Sequence, residues 1–216
     1  MPADGCVDLI WRDGRIELSP PTTMPFHASA QSGRSIGLRL RPGLAWLLFG
    51  LPVAELTDQC VPLADVAGKA LPKSLLGGDL HRPEAMLTHA LNAAQAAADP
   101  VALHRWAQLI RQAEATAPAT EAAAMLGCSV RQLRRDTARM FGYGYRTLSR
   151  IRRAQRAAQG LRAGGSPAEV AARAGFADQP HLTRELRALI GRTPAQLVAS
   201  NAKRSTELPS GSLTVA

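Results

Sequence analysis

From Ser129 the sequence SVRQLRR sets Arg131, Arg134 and Arg135 at spacings of three and four, so on a helix they share one face with Ala138. A guanidinium is always charged and carries a rigid fork of N–H donors, which fits the paired acceptors of a phosphate or a guanine edge. This is binding chemistry: the face recognises anions and acceptors. Its alternative is a solvated, arginine-rich helix surface with partners such as Asp136. A second group, Gln179, His181, Thr183 and Arg184, gathers at the front of another predicted helix. Other chemistry has few candidates. Cys6, Cys60 and Cys128 are odd in number, far apart and without a C-x-x-C, which reads as reduced thiols and not as a disulfide frame or zinc site. In the front portion, Asp4, Cys6, Asp8, His27 and Cys60 lack metal-ligand spacing. An alkyl-accepting cysteine would need a basic setting, whereas Cys6 stands between Asp4 and Asp8. The expectation is no catalytic residue, no metal and no cofactor.

The elements that must hold these groups are legible as punctuation. Ala171 is a small residue four before Gly175, as a first helix needs if a second is to cross it closely with the chain turning at glycine. Phe176 fills the gap, Asp178 caps the next helix, and Pro180 is tolerated because the first turn has N–H groups to spare. Leu182, Leu186, Leu189 and Ile190 fall on one face, Gly191 ends the helix, and Thr193-Pro194 starts another. The same grammar occurs upstream. Ala123 and Gly127 precede Ala171 and Gly175 by 48 residues, while Leu133, Arg135 and Gly142 precede Leu182, Arg184 and Gly191 by 49, the extra residue lying in the second turn. Two helix-turn-helix units in register are a far more specific signal than one.

The quoted residues carry a resemblance. G-x-S-x-R-x-L-x-R at Gly127–Arg135, V-A-x-x-x-G-F-x-D-Q-x-H-L-x-R-E-L at Val170–Leu186 and G-x-T-P at Gly191–Pro194 look like the AraC-type DNA-binding domain, over roughly residues 101–198. The resemblance implies two helix-turn-helix units joined by one long helix, with the positions of Arg131, Arg134 and Arg135 approaching DNA. Three residues depart from the usual pattern: Thr137 and Leu186 stand where phenylalanine is usual, and Tyr145 where proline is common. By the face argument Arg131 and Arg134 are candidates for base contact, and Gln132 and Arg135 read a base or hold phosphate. In the second recognition helix the candidates are Gln179, His181, Thr183 and Arg184, with Glu185 a partner for a nearby arginine; Ser129, Arg146 and Arg153 are phosphate candidates. The linking helix, Tyr145 to about Ala163, spans roughly 25 to 28 Å at 1.5 Å per residue, near the ~34 Å between successive major grooves on one face of DNA.

Charge supports the same partner. Of a formal net charge of +9, residues 101–200 hold 16 arginines, no lysine and six acids, so all the surplus lies in the repeat region. An Arg surplus that merely coats DNA without sequence preference is the rival reading, and compositional bias toward arginine would look alike.

Ahead of the repeat, Cys6–Trp11, Arg15–Ser19 and Ser35–Leu40 read as strands, with Asp13-Gly14 a hairpin turn and Pro42–Leu56 helical with a break at Pro52. Arg39 and Arg41 alternate with Leu38 and Leu40, so they face one side of a strand, either solvated or toward a ligand carboxylate. P-x-D-G-C-x-D at Pro2–Asp8, R-x-R-P-G at Arg39–Gly43 and the segment Leu51–Gly68 resemble the N-terminal domain of a bacterial subset of AraC-type regulators. That resemblance implies a cut-down cupin-like β domain that senses a signal or pairs subunits, with an open sheet edge that a second subunit could cover.

The expected class is α+β: a small N-terminal mixed β domain, then an all-α C-terminal domain with two helix-turn-helix units joined by a long helix. Residues 1–78 form the cupin-like remnant and 79–100 a connecting helix that packs on its own domain or makes a dimer seam. Residues 101–199 form the double unit, with Trp106 as core, and 200–216 a disordered tail. With 46% hydrophobic residues the chain can bury a proper core, and no basic leader or run of 18 apolar residues occurs. The expected setting is the cytoplasm, on the nucleoid. The expected partners are double-stranded DNA and RNA polymerase, with a small-molecule effector and a homodimer as further options, and no membrane.

Overall fold

The structure, a computed structural model, describes residues 6–12, 15–19, 21, 35–50, 53–56, 60–62, 65, 88, 92 and 98–204. Strands β1 (Val7–Arg12), β2 (Arg15–Ser19), β3 (Ser35–Leu40) and β4 (Val61–Pro62) make an antiparallel sheet in the order β3-β1-β2-β4. Period-two alternation selects the buried face: Val7 and Leu9, Ile16 and Leu18, Leu38 and Leu40 all point into one core. Register follows from that pattern, because a slip of one residue would turn all six to the other face. Leu9 stands opposite Leu18 on one side and Leu38 on the other. Arg12 opposes Arg15, which leaves two residues for the hairpin; Asp13-Gly14 themselves lie outside the described residues.

Two short helices, α1 (Leu44–Phe49) and α2 (Val53–Leu56), seat Ala45, Val53 and Leu56 against this sheet. The expected break between them is present, with Gly50 closing α1. The expected connecting helix over residues 79–100 lies almost wholly outside the described residues.

From Pro100 on, the described residues form seven helices: α3 (Pro100–Glu114), α4 (Ala119–Met125), α5 (Val130–Phe141), α6 (Tyr145–Arg162), α7 (Pro167–Arg173), α8 (Gln179–Ile190) and α9 (Pro194–Arg204). The spine is α6. Tyr145, Leu148, Ile151, Ala154, Ala157, Ala158 and Leu161 are buried along it, and α3, α5, α7, α8 and α9 all pack on it. Its small alanines in the middle let neighbours approach closely, and the leucines at either end bury enough to contribute about 1.5 to 3 kcal/mol each. Among the described residues no helix is long and apolar enough to cross a membrane. At the far end α9 runs past Ala199 to Arg204, so the first residues of the expected tail are helical; the rest of that tail lies outside the described residues.

The repeat is exact in backbone terms. Helices α4 and α7 are seven residues each, offset by 48, while α5 and α8 are twelve each, offset by 49. The inserted residue falls in the turn after Gly175, where the sequence puts it. Gly127 and Gly175 both take the left-handed backbone, at φ 60 and 74, which a turn between crossing helices requires and a side chain resists.

Candidate nucleic-acid interface

Each recognition helix is held at its start by a side-chain cap. Ser129 Oγ accepts from the backbone N–H of Gln132 at 3.1 Å, and Asp178 Oδ1 accepts from that of His181 at 2.6 Å. Helix α7 opens with a full capping box, Ser166 Oγ accepting from Glu169 N and the Glu169 carboxylate accepting from Ser166 N. The Ser166 hydroxyl also donates to Glu169 Oε2 at 2.9 Å, and this bond, with that from the Ser166 backbone N–H, holds the Glu169 carboxyl below its ordinary range. Beneath the caps the two helices bury equivalent positions: Leu133 and Leu182, Thr137 and Leu186, Met140 and Leu189, Phe141 and Ile190. Thr137, where an aromatic residue is usual, is fully buried and turns its hydroxyl back onto its own helix, donating to Leu133 O at 2.8 Å and Arg134 O at 3.0 Å.

The first arginine face is divided. Arg131 and Arg134 are exposed, and Arg134 leans over a cleft between the two units. Arg135 is exposed as well but donates to Gln132 Oε1, while Gln132 Nε2 donates to Asp136 Oδ1 at 2.6 Å and Arg105 pairs with Asp136 at 3.3 Å. Gln132 is therefore held inside a chain of polar groups along the flank of α5. In the second unit Gln179 and Arg184 are exposed, and Thr183 donates to Gln179 O at 2.9 Å. His181 is turned away from them. Its ring meets Phe176 edge-on at 5.3 Å, its Nδ1 accepts from Ala177 N, and its outer edge lines the cleft.

This cleft, of about 920 Å³, lies between the units and is lined by Arg134 from α5, Arg146, Arg150 and Arg153 from α6, and His181 and Glu185 from α8. The loop from Thr116 to Ala119 forms its remaining edge. Its positive groups differ in freedom. Arg146 is exposed at the start of α6. Arg150 makes a two-point pair with Glu185, at 3.1 and 2.8 Å, which raises the guanidinium pKa and lowers that of the carboxyl. Arg153 sits 4.5 Å over the Phe176 ring and reaches Gly175 O, so it holds the turn of the second unit while keeping its charge at the cleft. The sequence marks Glu185 as an arginine's partner but cannot name Arg150, because 35 residues separate them and no local periodicity links them.

Tyr145 is the other group the sequence could not place. Its hydroxyl donates to Ala117 O at 3.1 Å, tying the start of α6 to the loop between α3 and α4, and burial raises the phenol pKa. A proline there could make no such tie. Arg39, read as facing solvent or a ligand carboxylate, meets a carboxylate of this same chain: Asp8, directly opposite in the register, takes both its Nε and Nη2 at 2.8 Å. Trp106, expected as plain core, packs only partly on the helical core and donates its indole N–H to Pro42 O at 2.8 Å, so it also ties the two portions together.

Comparison with known families agrees with this geometry. Residues 122–200 match a family described as a helix-turn-helix domain, and residues 1–62 match one described as a domain of unknown function (DUF6597). No curated protein and no solved structure matches the chain. With both units, the long helix between them and the short front sheet in place, the helix-turn-helix domain at residues 122–200 marks a DNA-binding transcription regulator, consistent with the AraC type with a short N-terminal domain.

Proposed function

We propose that the protein is a sequence-specific regulator whose helices α5 and α8 enter two successive major grooves of one DNA duplex, with the arginine-lined cleft straddling the phosphate backbone between them. The observation that carries this reading is the pairing of two equally long, equally capped recognition helices on one spine with a positive cleft between them. Helix α6 has 18 residues, roughly 27 Å, which suits the ~34 Å spacing of grooves along one face. Base readers are Arg131 and Arg134 in the first unit and Gln179, Thr183 and Arg184 in the second. Gln132 and Arg135 stiffen the first face or take a phosphate, His181 lies where a phosphate would pass, and Ser129, Arg146 and Arg153 hold backbone. Residues 1–78 act as the sensing or pairing domain and 101–199 as the DNA-binding domain of a cytoplasmic, nucleoid-bound protein. An effector or a second copy acts through the front portion, and RNA polymerase is the downstream partner.

The test is selection of bound sequences from random duplex DNA by the full-length chain at near-physiological salt. The expected product is one motif of two short half-patterns about one helical turn apart. Arg134→Ala should relax one base pair of it at a loss of about 1 to 3 kcal/mol, whereas Arg146→Ala should weaken all sequences alike. No enrichment, with tight binding to every duplex, would leave only a DNA-coating protein.

A further inference from the structure

The front portion is not merely attached to the DNA-binding helices; it is wedged behind the first recognition helix. Both α1 and α2 pack on α5. The joint is tight. Gly43, at φ +82, leaves so little room that a Cβ there would stand 2.7 Å from the Phe141 ring and 2.9 Å from the Trp106 indole nitrogen. Arg41 stacks over that indole at 5.9 Å. Next to this close contact the packing opens into a cavity of about 250 Å³ between α1, α3 and α5.

Its walls are apolar: Trp46 and Leu47 from α1, Ala102 and Leu109 from α3, Met140 from α5. Three charged groups, Arg105, Asp136 and Arg139, also line it. Arg105 and Asp136 satisfy each other, whereas Arg139 has no partner among the described residues. Apolar walls beside one cation that no described residue pairs are the complement of a small molecule with an apolar body and a single anionic head. The space admits one ring or a short branched chain.

We propose that this cavity seats a small amphipathic carboxylate, and that its occupancy adjusts the first recognition helix. Arg139 and Met140 belong to α5 itself, about two turns after Arg131 and about one and a half after Arg134, so a guest between α1 and α5 bears directly on the element that carries the proposed base readers. The seat lies at the seam of the two portions and draws no residue from the front sheet. The proposal rests on the reading that the front portion relays a signal, and its binding arm is independent of DNA.

The probes are phenylacetate and isovalerate, with phenethyl alcohol as the uncharged counterpart, titrated into the full-length chain by calorimetry and by tryptophan emission. Saturable binding of at least one acid is expected. Arg139→Gln should weaken it on the order of tenfold and leave phenethyl alcohol unchanged. Ala102→Leu, which fills the seat from α3 without touching a charge, should abolish binding of acid and alcohol alike while thermal unfolding stays cooperative. On duplex DNA carrying the selected motif, the bound acid should shift affinity several-fold for the native chain and not for Ala102→Leu. Absence of saturable binding by either acid, or binding that survives both substitutions, overturns the site. Binding without any shift in DNA affinity overturns its role in control. Sequence selection by the unliganded chain would survive either result, so the two failures are distinguishable.

Discussion

The two recognition helices share length, a capped start and a buried apolar stripe, yet what reinforces each from behind differs. Helix α5 is backed by apolar packing: α1 and α2 press on it, and Phe141 fills the joint beside Gly43 and Trp106. Helix α8 buries its matching apolar stripe in the helical core and carries in addition a polar tie to α6, the Arg150–Glu185 pair, with Arg153 stacked on Phe176 in the turn before it. Apolar packing is insensitive to salt and responds to anything that wedges it open, whereas a half-exposed ion pair weakens with salt and acid. The first recognition helix thus carries extra apolar packing from the front portion, and the second an extra polar tie whose strength depends on salt and pH.

Breaking the apolar anchor should cost most. Phe141→Ala removes a fully buried ring shared by the helical core and the seam, and a loss of about 3 to 5 kcal/mol is expected. Urea unfolding followed by far-ultraviolet circular dichroism checks it. A loss under about 1 kcal/mol would mean that the seam collapses to fill the space and that the first unit is not held by it. Gly43→Ala tests the same joint more narrowly. The left-handed backbone and the short approach to Phe141 and Trp106 together predict about 1 to 3 kcal/mol and a change in tryptophan emission as the indole loses its bond to Pro42 O. In bound-sequence selection this variant should blur the half-pattern read by α5 and spare that read by α8.

The ionic anchor should cost less and should depend on pH. Glu185 has its pKa lowered chiefly by the hydrogen bonds from Arg150, so its contribution is present above the ordinary carboxylate range and is lost as pH falls toward the lowered folded value. Because the Arg150 side chain is 42% exposed, solvent screening limits the effect to about 1 kcal/mol. Glu185→Gln should remove that acid-dependent part of the stability and blur the α8 half-pattern, the mirror image of the glycine variant. Equal blurring of both half-patterns by either substitution would dissolve the distinction between the anchors.

What the sequence made legible divides along similar lines. Caps, turn glycines, the offset of 48 then 49 residues and the buried stripes are local or periodic features, and the structure reproduces each within a residue or so. The strands were readable because alternation over six residues has no competing helical period. The long-range ties were not. Glu185 to Arg150, Tyr145 to Ala117, Asp8 to Arg39 and Trp106 to Pro42 join residues separated by 28 to 64 positions, and no propensity or spacing encodes which partner is chosen. The candidate site was legible as two helix faces. That His181 and Arg153 would turn to Phe176, and so divide groups read as equivalent, follows from the crossing of α6 and α8, which is a property of packing.

Thr137 offers the smallest effect and the finest test of the comparison. At the matching position the second unit buries Leu186, and both are wholly inaccessible. The threonine hydroxyl donates to Leu133 O and Arg134 O, carbonyls within its own helix, and such back-bonding satisfies the buried group without adding a tie to any other element. Thr137→Val keeps the shape and removes the group that needed satisfying, so the change in stability should stay within about 1 kcal/mol and could fall on the favourable side. Measured by the same urea series, a loss beyond about 2 kcal/mol would show that the hydroxyl sets the curvature of α5. The first unit would then owe its geometry partly to a polar device inside the helix, and not to the wedge of α1 and α2 alone.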